Sequence, residues 1–134
     1  MKSVLKMSDA CKVGIHAVVY IARKKGEPVT SREIAANFKI SYNHLLKVLA
    51  NLVKADILCS LKGPQGGFVL KNYPENLNLY TVFKAIDGEI SDCEVCLFDE
   101  KACMDKKCIL GEYLCKANRE FVEFFKSKYV IDLI

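Results

Sequence analysis

The sequence predicts a mainly α-helical protein that carries one small β-hairpin. Three observations lead to this fold class. Apolar residues recur at helical spacing in three segments between residues 9 and 54. A glycine-rich loop over residues 62–67 then separates two short apolar runs, which is typical of a hairpin. An amphipathic stretch from Cys108 to about Lys128 predicts one long helix towards the C-terminal end. The residues predicted to face inward on it are Leu110, Leu114, Ala117, Phe121, Phe124 and Phe125.

Caps and apolar stripes define the first three helices. The first is predicted over residues 9–25, where apolar residues keep a spacing of three and four. The second begins at a predicted capping box, in which Thr30 caps the helix and the Glu33 side chain returns to the Thr30 amide. The third begins at Ser41 and continues to about Lys54. Its buried stripe is predicted to consist of Leu45, Val48, Leu49, Leu52 and Val53.

The hairpin and a fourth helix come next. Two short strands are predicted over residues 57–61 and 68–70. The loop between them is Lys62-Gly63-Pro64-Gln65-Gly66-Gly67, whose glycines and proline favour a turn. A small helix is predicted over residues 79–87. Two short helices followed by a β-hairpin make a winged helix-turn-helix, and we expect residues 1–74 to form this DNA-binding domain.

The composition is that of an ordinary globular protein. The chain has 134 residues, of which 51% are hydrophobic and 27% charged, enough to bury a core without disulfides. The longest apolar run, residues 13–22, is interrupted by His16 and is too short to span a bilayer. No apolar run with a cleavage site follows the first residues. We therefore expect a cytoplasmic protein with no signal peptide and no membrane partner.

Charge is divided unevenly along the chain. Residues 1–74 carry a net charge of +8, whereas residues 75–134 carry −4. A basic half suits a polyanion such as DNA, because each phosphate that is neutralised releases a counterion. Scattered, solvated lysines would give the same count, so charge alone does not decide between the two interpretations.

The start of the third helix and the wing carry the side chains that could read DNA. A helix fits the major groove with its N-terminal residues facing base edges, and its N-terminus favours phosphate. Asn43 can pair with adenine through two hydrogen bonds, and the wing glycines let the backbone approach a groove. The candidate DNA-binding residues on this reasoning are Ser41, Tyr42, Asn43, His44, Lys47, Lys62, Gln65 and Gly66.

Three segments carry a family resemblance. Residues 29–35 read Val-Thr-Ser-Arg-Glu-Ile-Ala, residues 40–45 read Ile-Ser-Tyr-Asn-His-Leu, and residues 62–70 read Lys-Gly-Pro-Gln-Gly-Gly-Phe-Val-Leu. They resemble Val-Thr-Ser-Arg-Glu-Ile-Ala, Ile-Ser-x-x-Tyr-Leu and Arg-Gly-Pro-x-Gly-Gly-Tyr-x-Leu of one family of winged-helix transcriptional regulators. That is the IscR/NsrR/CymR (Rrf-two) family, and the resemblance covers nearly the whole chain.

The resemblance implies a homodimer that binds a palindromic operator in double-stranded DNA. It implies that the long C-terminal helix forms much of the dimer interface, so that residues 75–134 are a sensor and dimerisation region. By family position, Asn43 and Lys62 are base readers, and Ser31 and Arg32 contact phosphate. Many relatives have arginine at the position of Lys62, and lysine lacks the forked geometry of arginine. We therefore expect the operator to differ from theirs.

Five of the seven cysteines lie between residues 93 and 115. Clustered cysteines in a reduced compartment indicate metal or redox chemistry rather than structural disulfides. The spacing of Cys96, Cys103 and Cys108 resembles the family's cluster-binding triplet, although the second gap is one residue short. The resemblance implies an iron–sulfur cluster, either [2Fe–2S] or [4Fe–4S], held by these three thiolates.

The fourth ligand of such a cluster stays open. Cys93 is a fourth thiolate in the same segment, and His16 is the alternative from the first helix of a partner subunit. The carboxylate that some relatives use corresponds to Lys12, which cannot ligate while it is protonated, and Asp9 lies nearby. Where other relatives have a histidine after the last cysteine, this chain has Gly111.

Three other functions compete with cluster sensing. Four cysteine thiolates also suit a structural zinc ion, and reduced thiols could instead be oxidised to a disulfide. A cluster-free regulator that acts through a partner protein is a further alternative, since some relatives lack the cysteines. An enzyme is not expected, because the sequence has two histidines, no nucleophile-and-base pattern and no phosphate loop. The leading hypothesis is a DNA-binding repressor that senses iron, redox state or nitric oxide.

Overall fold

The computed structural model describes residues 3, 5, 7–91 and 108–134. Its elements follow the predicted order, and the predicted fold class is confirmed. The helices are α1 (Asp9–Arg23), α2 (Ser31–Phe38), α3 (Tyr42–Lys54), α4 (Leu79–Asp87) and α5 (Ile109–Ser127), and the strands are β1 (Leu58–Leu61) and β2 (Gly67–Leu70). Two short 3₁₀ turns, Pro74–Asn76 and Val130–Leu133, were not anticipated from the sequence. No helix in the described part of the chain is long and apolar enough to cross a membrane.

Helix α1 lies at the centre of the fold. Its N-cap is Ser8, whose side chain accepts a hydrogen bond from the Cys11 amide at 3.0 Å and also donates to Asp87 at the end of α4. The helix ends two residues earlier than predicted, because Lys25 takes a left-handed conformation with φ of 51°. Seven of its residues are buried, namely Cys11, Gly14, Ala17, Val18, Val19, Ile21 and Ala22.

Helix α2 has half of the predicted capping box. The Thr30 side chain accepts a hydrogen bond from the Glu33 amide at 3.2 Å, as expected. The Glu33 carboxylate was expected to return to the Thr30 amide, but it accepts from the Tyr20 hydroxyl of α1 at 2.7 Å instead. A long-range partner thus replaces the local one. The helix ends at Lys39, whose left-handed φ of 52° turns the chain towards α3.

The two strands form an antiparallel hairpin in which Leu58 pairs with Leu70 and Leu61 with Gly67. The chain just before α2 joins this sheet, because Val29 and Phe68 exchange backbone hydrogen bonds of 3.1 and 2.8 Å. Gly67 allows this close approach. It has a φ of +153°, and a Cβ there would lie 2.6 Å from the Val29 carbonyl oxygen.

One hydrophobic core runs through the described residues. It contains Val18 of α1, Ile34 of α2, Leu49 of α3, Leu58 of β1 and Val82 of α4. Residues on both sides of position 74 therefore share one core. The division of the chain into domains 1–74 and 75–134 stays a prediction.

Helix α5 packs less completely than the other long helices. It begins at Ile109, with Cys108 as its N-cap, and only Cys115 and Phe125 are buried among its residues. Phe121 and Phe125 pack against Phe83 of α4, with ring centroids 5.2 and 6.1 Å apart. The periodicity of the sequence predicted that Leu110 and Phe124 point inward, and this was wrong. Leu110 is 48% exposed and Phe124 is 55% exposed.

Candidate nucleic-acid interface

The first turns of α2 and α3 meet in a small polar cluster. The Ser31 hydroxyl donates a hydrogen bond to the Tyr42 hydroxyl at 3.3 Å. This bond, together with the neighbouring Arg32 guanidinium, lowers the pKa of Tyr42. Arg32 and Tyr42 are exposed, and Ser31 is half-buried. The helix-turn-helix thus brings together three of the predicted DNA-binding residues, two from α2 and one from α3.

The first turn of α3 presents the predicted base-reading side chains to solvent. Ser41 caps the helix by accepting a hydrogen bond from the His44 amide at 3.5 Å. Asn43 and Lys47 are exposed, and His44 is half-buried. The first turn contains no acidic residue. This helix end therefore offers amide, hydroxyl and cationic groups without a carboxylate that would repel phosphate.

The opposite face of α3 fixes the helix in the fold. The residues buried on this face are Leu45, Val48, Leu49 and Leu52, as the sequence predicted. Val53, which was also assigned to the stripe, is half-buried. Because this apolar face is held in the core, the first turn of α3 projects from a rigid base.

The wing presents Lys62 and Gln65 at its tip, both exposed, while Gly66 is half-buried. A tight turn forms there, since the Gly66 amide donates to the Gly63 carbonyl at 2.9 Å. A Cβ at Gly66 would collide with the Leu61 carbonyl oxygen, so the turn requires glycine at this position. At the base of the hairpin, Lys71 forms an ion pair of 2.8 Å with Asp56.

A second polar group behind the helix-turn-helix was missed by the sequence analysis. Tyr20 of α1 and Lys24, the C-cap of that helix, both contact Glu33 of α2, at 2.7 and 3.3 Å. The Asn37 side chain donates to the Tyr20 hydroxyl at 3.1 Å and to the Glu33 carbonyl at 2.9 Å. We name Tyr20, Lys24, Glu33 and Asn37 the α1–α2 polar seam. Only the four-residue spacing of Tyr20 and Lys24 could have indicated this seam from the sequence.

The cysteines lie in three parts of the chain, namely the core, the wing and residues 93–108. Cys11 is fully buried, and burial together with Asp87 raises the pKa of its thiol to about 12. Cys115 is also buried, whereas Cys59 of β1 is half-buried. Of the predicted cluster ligands, Cys108 is half-buried at the start of α5. Cys93, Cys96 and Cys103 lie outside the described residues.

His16, the alternative fourth ligand, is exposed on α1, and its ring centroid lies 6.1 Å from that of Phe38. Within the described ranges, no three histidine, cysteine or acidic side chains form a group that could hold a metal ion. Three of the four cysteines in the predicted ligand set, Cys93, Cys96 and Cys103, lie outside these ranges.

A helix-turn-helix whose polar first turns are exposed, joined to a hairpin wing, defines the class of winged-helix DNA-binding proteins. Residues 7–134 match the model of the Rrf2 family, described as iron-dependent transcriptional regulators. The chain therefore belongs to the Rrf2 family of DNA-binding transcriptional regulators, as the resemblance of its motifs predicted.

Individual relatives agree with this assignment. The chain is 30% identical to a putative HTH-type transcriptional regulator of Aquifex aeolicus over 95% of this chain and 90% of the relative. It is 25% identical to the regulator NsrR of Shouchella clausii, over 97% and 89% of the two chains. The solved structure of CymR, the global cysteine regulator of Bacillus subtilis, superposes with a TM-score of 0.79 at 25% identity, covering 97% and 96%.

Proposed function

We propose that the protein is a homodimeric repressor whose affinity for its operator is set by a cysteine-ligated iron–sulfur cluster. The cluster would sense iron, redox state or nitric oxide. The observation that carries the DNA-binding part is the exposed polar surface formed by the first turns of α2 and α3. The observation that supports the sensing part is the spacing of Cys96, Cys103 and Cys108 in a chain of this family.

The DNA-binding roles follow from the chemistry of each side chain. Asn43 would read adenine in the major groove, and Lys62 would read a base from the wing. Ser31 and Arg32 would contact phosphate, with the guanidinium supplying two donors at once. The remaining groups of the interface would reach bases or the sugar–phosphate backbone, and they are Ser41, Tyr42, His44, Lys47, Gln65 and Gly66.

The dimer is supported by the surface of α5. Near the start of this helix, Ile109 is 80% exposed, Leu110 is 48% exposed and Tyr113 is 68% exposed. Three neighbouring large apolar side chains on one exposed helix end are typical of an interface between protein chains. A second copy of α5 would cover them, and two recognition helices would then face a palindromic operator.

The described part of the cluster site is compatible with thiolate ligation. Cys108 is half-buried at the amino end of α5, where the helix dipole favours a negative charge, and its side chain does not cap the helix. Cys96 and Cys103 would supply two further thiolates, and Cys93 or His16 the fourth ligand. A bound cluster would supply redox and ligand-exchange chemistry at these side chains.

The chain's own residues would transmit the state of the ligands. Cys108 is the N-cap of the helix that carries the exposed apolar residues, so a change in what Cys108 binds would alter the start of α5. Because the dimer proposed above uses that end of α5, such a change would alter how the two recognition helices are spaced. This is a population shift between dimers that fit the operator and dimers that do not.

A cluster-free regulator is the second candidate, and one observation favours it. The solved structure with a TM-score of 0.79 is that of CymR, the global cysteine regulator of Bacillus subtilis. A chain with this fold could respond through thiol oxidation, a partner protein or a structural zinc ion held by the same cysteines.

The test combines a spectrum with DNA binding. Protein purified without oxygen is expected to show a visible charge-transfer band with matching iron and sulfide. A Cys103→Ala variant is expected to lose the band and to change operator affinity, while the matched control Cys59→Ala keeps both. A colourless protein that binds neither iron nor sulfide after reconstitution would contradict cluster sensing, and a stoichiometric zinc content would establish the zinc alternative.

A further inference from the structure

The α1–α2 polar seam joins the helix at the centre of the core to the helix that presents Ser31 and Arg32. Its central bond is short, with 2.7 Å between the Tyr20 hydroxyl and a Glu33 carboxylate oxygen. Lys24 contacts the same oxygen at 3.3 Å and lies 5.2 Å from the centre of the Tyr20 ring. Asn37 closes the group by donating to the Tyr20 hydroxyl.

The two helices that the seam joins differ in how firmly the core holds them. Helix α1 buries seven residues, whereas α2 has eight residues and buries only Ile34. Beyond Ile34, α2 relies on half-buried contacts such as Phe38, whose ring packs edge-on against Tyr20 at 5.8 Å. Polar contacts therefore contribute a larger share of what fixes the orientation of α2.

Glu33 lies in the first turn of α2, directly after Ser31 and Arg32. One end of α2 is thus tied to α1 through the Glu33 side chain, while the Ser31 hydroxyl bonds to Tyr42 of α3. A rotation of α2 that broke the Tyr20 bond would also displace the Ser31–Tyr42 pair. None of the four residues of the seam is among the predicted DNA-binding residues.

We propose that Tyr20 and Glu33 are positioning residues for DNA binding. Through their hydrogen bond they orient the first turn of α2, so that Ser31, Arg32 and Tyr42 face the phosphate backbone together. The proposal rests on the proposed interface, since it needs those three residues to contact DNA. It assigns no contact with DNA to Tyr20, which lies on α1.

The experiment measures affinity and its salt dependence on a palindromic duplex selected from a random library with the wild-type protein. Tyr20→Phe removes only the hydroxyl, and its affinity is expected to fall by about three- to tenfold, the range of one hydrogen bond. The salt slope is expected to stay unchanged, because no phosphate contact is lost. Arg32→Ala is expected to reduce the slope by about 1.

Two further variants separate positioning from general damage. Glu33→Ala and Glu33→Gln both remove a carboxylate that repels phosphate, but only Glu33→Ala removes the acceptor, so Glu33→Ala should bind about three- to tenfold more weakly than Glu33→Gln. Adding Tyr20→Phe to Glu33→Ala should weaken binding no further. Glu33→Gln keeps an acceptor and should retain most of the affinity. Tyr73→Phe is the matched control, because it removes a hydroxyl from a tyrosine that is 72% exposed, and it should bind as wild type. Melting temperatures verify that each variant is folded at the assay temperature.

Each result decides a separate point. If Arg32→Ala and Asn43→Ala weaken binding and Tyr20→Phe does not, the positioning role is wrong and the interface stands. If Arg32→Ala and Asn43→Ala both bind as wild type, the interface is wrong and the positioning role fails with it. A salt slope reduced by about 1 in Tyr20→Phe would make Tyr20 a direct phosphate contact, which also overturns the proposal.

Discussion

Helices α3 and α5 are both amphipathic, but the described chain buries the apolar face of α3 and leaves much of that of α5 exposed. In α3, Leu45 and Leu49 are fully buried, and every predicted core residue of that helix is buried or half-buried. In α5, Ile109 and Tyr113 are mostly exposed. Apolar periodicity therefore predicts which face of a helix is hydrophobic, but it does not say whether the same chain covers that face.

The largest expected effect concerns the core under α3. Leu49→Ala removes a side chain that is fully buried and should destabilise the fold by about 3 kcal/mol, through lost burial and the cavity left behind. Leu46→Ala, on the same helix but 36% exposed, should cost under about 1 kcal/mol. Chemical denaturation of both variants measures the difference. Equal costs would mean that α3 is not held by its buried face.

A substitution where the wing contacts the segment before α2 should destabilise the fold nearly as much. Gly67→Ala would bring a Cβ to 2.6 Å from the Val29 carbonyl oxygen at a φ of +153°, and should cost about 2 kcal/mol and weaken operator binding. Gly26→Ala also has a positive φ, +91°, but meets nothing within 4 Å and should cost about 1 kcal/mol. Thermal unfolding and operator titration compare them. A Gly67→Ala variant that binds normally would refute the close approach.

A smaller effect is expected on the exposed end of α5. Leu110→Asp places a charge on the proposed dimer face and should raise the dimer dissociation constant about tenfold or more, with little loss of monomer stability. Ile131→Asp, at a residue that is 46% exposed in the last 3₁₀ turn, is the control and should leave the constant unchanged. Sedimentation equilibrium measures both. Unchanged dimerisation of Leu110→Asp would place the interface elsewhere.

The smallest effect is the pH dependence of the α1–α2 polar seam. The Tyr20 hydroxyl, followed by the Lys24 ammonium, lowers the pKa of Glu33 from its ordinary value of 4.5. The ionised Glu33 carboxylate therefore stabilises the fold fully above about pH 5. This stabilisation is lost as the pH falls through the lower pKa that Glu33 has in the folded state. Glu33 is 38% exposed, so solvent screening keeps this contribution small. The melting temperature of Glu33→Gln should fall less than that of wild type between pH 6 and pH 3, and an identical fall would contradict the assignment.

Local signals in the sequence predicted most of the fold. The caps at Thr30 and Ser41 and the glycine-rich wing specify their own neighbourhoods, because their partners lie within three or four residues. The element order and the exposed first turn of α3 follow from these signals together with the apolar stripes.

Contacts between distant segments were not predictable in the same way. Glu33 was expected to bond to its local cap, yet Tyr20, thirteen residues earlier in the chain, takes its carboxylate. Leu110 fits an apolar stripe, yet no nearby part of the described chain covers it fully. Both outcomes depend on how helices pack in three dimensions, and apolar spacing along one helix carries no information about its neighbours.

The backbone bridge between Val29 and Phe68 has a consequence for how the protein can be regulated. It fastens the hairpin to the segment that leads into α2, so the wing and the start of α2 move together. In the homodimer proposed above, each subunit would therefore present the wing, α2 and α3 to DNA as one unit. In that dimer, a signal would change the separation and mutual angle of the two units more readily than the fit of either unit to its half-site. Operators with an altered spacer length would therefore reveal the regulatory state more sensitively than operators with altered bases.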